Sequence, residues 1–575
     1  MTGERPVLVP QPRSVDLGRE RVAAAVPGVA RDPSLPAEGY RLRIGTGGTR
    51  VDAADAAGEA HALRTLAQLA RTHDGRLPVG TVEDWPDLAV RGVMLDISRD
   101  KVPTMATLET LVDRLAGWKV NQLQLYMEHT FAYADHEEVW RHASPLTPDE
   151  VRDLDLFCRR RHVELVPNQN CLGHFDRWLA HDRYRPLALC PDGWTSGDGR
   201  RRRPTTLDPA NPEAFALVRR LLGELLPNFT STRAHVGLDE PWELPAERID
   251  DYVAWLARLR AAPELDGREM LVWGDILGAH ADRGVRLPDG VTVCEWGYED
   301  WSPLDQRAAA LAAAGTPFWT CPGTSSWDSV AGRWTNMRGN ILAAARAALD
   351  HGGSGLLNTD WGDQGHLQPL AVSEPGLAFG AAAAWCPATN ADLDLEAVLD
   401  VHVFADAAGQ AGALLHLLGD LHRLVTPQFP NCSTLVLHGY YPQAVVGEDF
   451  TAGLVVDELD AVDDALADAS TRVEAMRSGR DDAGQVVDEL RWVIAYVAVL
   501  VADARARIAG NGSLGSIPAG ARAALADRLE ALVGDYRRLW LARNRPGGLD
   551  DSAAWLEHLL DAYRSGHAAD DWGGW

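Results

Sequence analysis

From residue 91 onward the hydrophobic positions follow a repeating order: a short apolar run, a loop rich in polar and aromatic residues, then a stretch with apolar residues at helical spacing. Eight such runs stand out, at 91–97, 122–127, 163–167, 233–237, 270–273, 292–296, 317–321 and 355–358. A strand followed by a helix or helical turn, repeated eight times, predicts a parallel sheet closed into a (β/α)8 barrel. Two of the helices show the pattern plainly. Leu108, Leu111, Val112 and Leu115 recur on one face, as do Phe215, Val218, Leu222 and Leu225, so each helix is expected to lay one stripe on the barrel. Ahead of the barrel, residues 56–71 carry Ala62, Leu66 and Leu69 on one face after short strand-like pieces, with Pro78 and Pro86 at the exit. That segment, 1–88, reads as a small α+β domain. Beyond 390 the pattern turns to long helical periods, such as 455–476 and 488–508, rich in Ala, Leu, Asp and Arg. The expected fold class is α/β: a TIM barrel over 89–390, preceded by the α+β domain and followed by an α-helical domain over 391–575.

Composition narrows the classes of function. A chain of 575 residues exceeds what one compact core usually holds, and 46% hydrophobic with 24% charged residues is the balance of a folded protein. Against 55 basic residues stand 82 acidic ones, and a net charge of −27 disfavours nucleic acid and anionic membrane surfaces as partners. A neutral substrate is expected. The acidic residues of the C-terminal helices read as a solvated face. No run approaches the roughly 18 apolar residues of a membrane span, and the N-terminus has no basic stretch followed by an apolar one. A cytoplasmic location is therefore expected. The seven cysteines, Cys158, Cys171, Cys190, Cys294, Cys321, Cys386 and Cys432, are dispersed without a CxxC pair and read as free thiols. Twenty tryptophans against ten phenylalanines supply core mass and, at a few places, flat faces suited to sugar rings.

In a (β/α)8 barrel the chemistry lies at the C-terminal ends of the strands. After the fourth run comes His235-Val236-Gly237-Leu238-Asp239-Glu240, two adjacent carboxylates beside a glycine that lets the chain bend so that both serve one site. Carboxylates at a barrel mouth point to glycosidic bond cleavage. An adjacent pair does not readily straddle an anomeric carbon, so another nucleophile is wanted. A 2-acetamido carbonyl on the substrate supplies one: it would close to an oxazolinium ion while Asp239 holds the amide N–H and Glu240 acts as acid and then base. Other run ends offer Arg91 and Asp96, Glu128 and His129, His174, Trp273 and Asp275, Trp296, Tyr298 and Glu299, Trp327, then Asp360, Trp361 and Asp363. Two other classes compete. A metal-dependent hydrolase could be built on His174, His235, Asp239 and Glu240, but no HxH or HxxxH spacing supports it. A carbohydrate-binding protein that lost activity would have no use for the acid pair. No metal or cofactor is expected. The arginines at 200–203 read as a solvated loop, or, folded over the pocket, as a selector of sulfate, phosphate or carboxylate groups.

Several stretches carry a family likeness: LAQLARTHDGRLPVGTVEDWPDLAVRG at 66–92, RGVMLDISRDKVP at 91–103, KVNQLQLYMEHTF at 119–131, PNQNCLGHF at 167–175 and HVGLDE at 235–240. Across about two-thirds of its length the chain resembles the family 20 β-N-acetylhexosaminidases, in particular the intracellular bacterial type with a helical C-terminal domain. The resemblance implies a retaining exo-glycosidase that releases terminal β-linked N-acetylglucosamine or N-acetylgalactosamine from a small oligosaccharide or glycoconjugate. It makes Asp239 the residue polarising the acetamido group and Glu240 the general acid/base. It implies Arg91 as a ligand of the sugar hydroxyls, His174 in a relay supporting Glu240, and Tyr298 as the hydroxyl on the acetamido oxygen, with Glu128 and His174 counted among the substrate-binding residues. Trp273, Trp327 and Trp361 would be cage walls and Asp363 a hydroxyl acceptor. The chain departs from the commoner pattern at Leu238, where a second glycine is usual, at Cys171-Leu172, and at Glu128-His129. Whether it forms a homo-oligomer is left open.

Overall fold

The computed structural model describes residues 6–197, 199–279 and 286–568, so residues 1–5 of the N-terminal stretch and Asp198 of the arginine-rich loop lie outside the described residues. The strands are β1 (Ser14–Ala23), β2 (Gly28–Arg31), β3 (Tyr40–Gly45), β4 (Gly48–Ala53), β5 (Arg76–Asp84), β6 (Val90–Asp96), β7 (Gln122–Met127), β8 (Glu164–Gln169), β9 (Trp194–Thr195), β10 (Arg201–Arg202), β11 (Arg233–His235), β12 (Glu269–Trp273), β13 (Val291–Trp296), β14 (Phe318–Cys321) and β15 (Gly355–Asp360). The first five make a sheet of order β1-β5-β3-β4-β2. Eight others close in the order β11-β12-β13-β14-β15-β6-β7-β8, parallel throughout, with β8 and β11 joined at Asn168 and His235.

The barrel strands read as apolar runs because they are covered on both faces. Every residue of β6, β7 and β15 is buried. Alternation divides each strand: in β6, Val90 and Met94 join the aromatic cluster of the lumen, whereas Val93 and Leu95 belong to the core shared with the surrounding helices. The helix Met105–Gly117 buries Leu108, Leu111, Val112 and Leu115 as its spacing predicts. In the helix Pro212–Leu225 the stripe runs through Leu217, Val218, Leu221, Leu222 and Leu225, and Phe215 sits at its margin, edge-on to Trp255.

A fully buried ion pair joins the small sheet to the barrel. Asp84, the last residue of β5, accepts hydrogen bonds from Lys119 Nζ at 2.9 Å, Tyr40 Oη at 2.8 Å and Trp385 Nε1 at 2.8 Å. Trp385 closes the helix Leu370–Trp385 that follows the eighth barrel strand, yet it packs in the core of the five-stranded sheet with Tyr40, Leu42 and Val82. Arg91, at the start of β6, points outward into this same junction, where Glu38 meets its guanidinium at 2.5 Å.

The C-terminal region is helical, with long helices Val456–Ala475, Ala483–Ile508, Ala519–Arg543 and Leu549–Ser565. It clamps the barrel through Arg545 to Glu150 at 2.7 Å and Arg480 to Glu374 at 2.6 Å. Among the described residues no helix is long and apolar enough to cross a membrane. All seven cysteines are free thiols, and all but Cys190 are buried.

Removing one partner from a buried ion pair strands the other charge. Asp84→Ala is expected to destabilise the protein by about 3–5 kcal/mol, read as a lowered urea midpoint. An unchanged midpoint would show that the junction carries little of the stability.

Candidate active site

The C-terminal mouth of the barrel gathers its polar side chains around Arg99, three residues past the end of β6. Its guanidinium lies 3.4 Å from Asp96 Oδ2, 3.2 Å from Glu128 Oε1 and 3.3 Å from His174 Nδ1, and it stands over the rings of Tyr126 and Trp361. Asp96 also accepts from the backbone N–H groups of Ser98, Arg99 and Gly362, so one carboxylate ties the ends of β6 and β15 to the arginine.

After β11 the chain turns sharply: Gly237, Leu238 and Glu240 have φ of 70°, 74° and 47°. A Cβ on Gly237 would come within 2.6 Å of the Asn170 side chain, and one on Gly173 within 2.4 Å of the Asp239 carbonyl, so both glycines permit close approach of the β8 and β11 loops. Leu238 occupies the left-handed region that favours glycine, at a cost of about 1–3 kcal/mol. Complete burial of its side chain offsets that strain. The turn brings both acids to one histidine: His174 Nε2 lies 3.3 Å from Asp239 Oδ2 and 3.4 Å from Glu240 Oε2. Asn170 Nδ2 donates to Asp239 Oδ1 at 2.6 Å and fixes that carboxylate from the other side.

The charges sort themselves by environment. Burial opposes a charged His174, but Asp239 and Glu240 outweigh it and hold the imidazolium well above its ordinary range. Burial likewise pushes against an ionised Asp239, yet His174, Arg99 and Asn170 keep its carboxyl below the usual value. Glu128 shifts upward because burial exceeds the help it receives from Arg99 and His174. Asp363 is pushed up to about 6 by burial, aided by the neighbouring Asp96 and Glu240.

The aromatic wall lines the lumen. Trp273 packs against His235 at 4.4 Å and Trp361 at 5.8 Å between centroids, and Tyr298 stacks on Trp296 and meets Trp327 edge-on. Trp361 Nε1 donates to Tyr298 Oη at 2.8 Å. Thus the mouth brings together Asp239, Glu240, Glu128, His174, Trp273, Tyr298, Trp327, Trp361 and Asp363. Arg91 is not among them. At the opposite end of β6 its side chain faces outward and is spent on Glu38 and the carbonyls of Leu88 and Lys119. Arg99 and Asn170 are the polar residues that reading by motif passed over. The signal for Arg99 was its place past the C-terminal end of the strand, where Arg91 sits at its start. Among the described residues His174, Asp239 and Glu240 offer ligand atoms within 4.8 Å of one another, but the Arg99 cation on the far nitrogen of His174 disfavours a metal ion there.

Asp275, which opens the helical turn after β12, accepts the Glu240 backbone N–H at 3.1 Å, and burial with the nearby Asp239 pushes its carboxyl up to about 7. A carboxyl whose folded pKa exceeds its unfolded value binds its proton more tightly in the native state. Stability is therefore lost as pH rises from about 4 to about 7. Asp275→Asn is expected to gain stability relative to the parent across that window and to match it near pH 4, in urea midpoints taken at a series of pH values. A difference independent of pH would mean that Asp275 ionises normally.

Residues 9–85 match the family model described as glycosyl hydrolase family 20, domain 2, and residues 89–336 match the catalytic domain of the same family. Over 267 residues the chain is 26% identical to a β-hexosaminidase of Akkermansia muciniphila, covering 41% of this chain and 52% of that protein. Over 301 residues it is 24% identical to β-hexosaminidase 1 of Coccidioides posadasii, covering 45% and 49% respectively. The chain thus spans about half the length of these curated relatives. Its fold is similar to that of the family 20 β-N-acetylhexosaminidase of Streptomyces coelicolor A3(2), with a TM-score of 0.53 and 22% identity over 70% of this chain and 94% of that one. The N-acetyl-β-hexosaminidase of Streptomyces plicatus gives a TM-score of 0.54 and 21% identity over 72% and 95%. The two matched models meet at the passage from β5 to β6 and together take in more than half of the chain, which belongs to glycosyl hydrolase family 20.

Proposed function

We propose that this protein is a retaining exo-β-N-acetylhexosaminidase working by substrate assistance. The observation that carries the reading is the convergence of Asp239 and Glu240 on one nitrogen of His174. Two carboxylates on the same side of a site cannot serve as acid and opposing nucleophile across one anomeric carbon. The nucleophile then comes from the substrate: the acetamido carbonyl oxygen attacks the anomeric carbon as Glu240 gives its proton to the departing oxygen. Asp239, held ionised and fixed by Asn170, accepts the acetamido N–H and stabilises the charge of the oxazolinium. Water then opens the ring while Glu240 recovers its proton, and two inversions leave the configuration unchanged.

The remaining side chains fit a sugar in this pose. Trp273, Trp327 and Trp361 supply apolar walls. The Tyr298 oxygen accepts from Trp361, which leaves the phenol proton for the acetamido carbonyl. Arg99 and Asp363, in place of Arg91, are positioned for the hydroxyls of the terminal sugar. The name β-hexosaminidase carried by the curated relatives supports the same reading.

Turnover of 4-nitrophenyl β-N-acetylglucosaminide and the N-acetylgalactosaminide, with none of the plain β-glucoside, and inhibition by a thiazoline mimic of the oxazolinium are expected. Equal cleavage of the plain glucoside would sink substrate assistance. Glu240→Gln is expected to lose about 10²–10⁴-fold on poor leaving groups, whereas Asp239→Asn should lose about 10²–10³-fold even with nitrophenol leaving. Arg99→Met should raise KM severalfold, while Arg91→Met leaves KM alone and lowers the urea midpoint. The reverse pattern would restore Arg91 to the site.

A further inference from the structure

A groove leaves the mouth between the loop after β13 and residues 428–431 of the C-terminal region. Its first chamber, about 450 Å³, begins at Asp275 and Tyr298 and runs past Trp296 and Trp301 to Pro430 and Asn431. Its second, about 410 Å³, shares Glu299, Trp301 and Pro430 with the first and continues to Arg333, Arg423 and Gln428. Each chamber alone falls within the size range of ligand pockets, about 300–1,000 Å³.

The groove is built rather than incidental. Glu299 joins its two walls: one carboxylate oxygen accepts the Asn431 backbone N–H at 2.6 Å, and both take Arg333 Nη1 at 2.9 Å. Yet Arg333, only 4% exposed, keeps Nε and Nη2 without a partner among the described residues, and Asn431 Oδ1 is likewise unpaired. Such buried, unsatisfied groups call for a hydrogen-bonding occupant. Along the same path two large aromatic rings face solvent, Trp301 at 68% and Phe429 at 52% exposure. Apolar faces interleaved with unused donors and acceptors suit pyranose rings, which present C–H faces and hydroxyl edges. The Arg333 and Glu299 charges cancel, which favours a neutral chain.

Position gives the groove its role. It starts at Asp275, whose carboxylate holds the backbone of Glu240. A group leaving under protonation by Glu240 has this groove within reach by way of Asp275. We infer that the groove binds the leaving-group portion of the substrate, a neutral oligosaccharide of at least two sugar residues, and that Trp301 is its central platform. The inference rests on the hydrolase reading above and adds that the C-terminal helical region takes part in choosing the substrate.

The test compares β-N-acetylglucosaminyl fluoride, whose leaving group is too small to reach the groove, with the β-1,4-linked dimer and trimer of N-acetylglucosamine. The parent enzyme is expected to show a higher kcat/KM on the trimer than on the dimer. Trp301→Ala should lose about tenfold on both oligomers and nothing on the fluoride. Phe429→Ala, in the farther chamber, should erase the advantage of the trimer while sparing the dimer. Equal losses on all three substrates, or no loss on any, would overturn the groove assignment. So would a Trp301→Ala variant that dissociates a dimer in sedimentation while its substrate ratios stay fixed, because the groove would then be an interface between copies. A parent enzyme that cleaves none of the three overturns the hydrolase reading and the groove with it, whereas cleavage without chain-length preference overturns the groove alone.

Discussion

One half-buried guanidinium organises the mouth of this barrel. Arg99 touches groups from four strand ends, Asp96 as the last residue of β6, Glu128 after β7, His174 after β8 and Trp361 after β15, and it is the fixed cation of the cluster. Around it stand Asp96, Glu128, Asp239, Glu240 and Asp363, more negative charge than one arginine and one imidazolium can balance. Burial divides these acids by how readily each gives up its proton. Glu128 and Asp363 shift upward, while Asp239, pinned between His174 and Asn170, shifts down. An ionised acid beside others more easily protonated is the arrangement by which neighbouring carboxyls acquire different tasks.

The turn after β11 is the geometric counterpart of that charge arrangement. On a regular strand Asp239 and Glu240 would face opposite ways. Three residues with positive φ rotate both toward His174, and the price at Leu238 is met by packing. The neighbouring loop accommodates the turn through Gly173 and Asn170. The site is thus less a property of the acid pair than of two loops that fit closely.

Much of this was legible in the chain because the relevant physics is local. Strands covered on both faces must be apolar, so β7 is found where its pattern places it and β15 overruns its predicted end by two residues, Thr359 and Asp360, which are polar but buried. The helix Ala56–Arg71 was legible from its stripe, and in the structure Asp55 caps it, its side chain accepting the Gly58 N–H. Asp239 and Glu240 sit in a six-residue motif. Arg91 lies at the start of β6 and Arg99 just past its end, and motif likeness could not tell them apart; the direction of a parallel strand could, since only one of them lies at its C-terminal end. Asn170 was invisible for a different reason. Its bond to Asp239 spans 69 positions and depends on how two loops dock. The same holds for residues 428–431, which nothing in their own composition assigns to the barrel mouth.

Trp385 has a consequence for how such a chain can be divided. The indole that ends the last barrel helix completes the hydrophobic interior of the N-terminal sheet and donates to Asp84 within it. Two bodies that follow one another along the sequence are interlocked in space, with the later one supplying the keystone of the earlier. Folding on a ribosome would then leave the first domain unfinished until residue 385 emerges, so that the first segment made is among the last to mature.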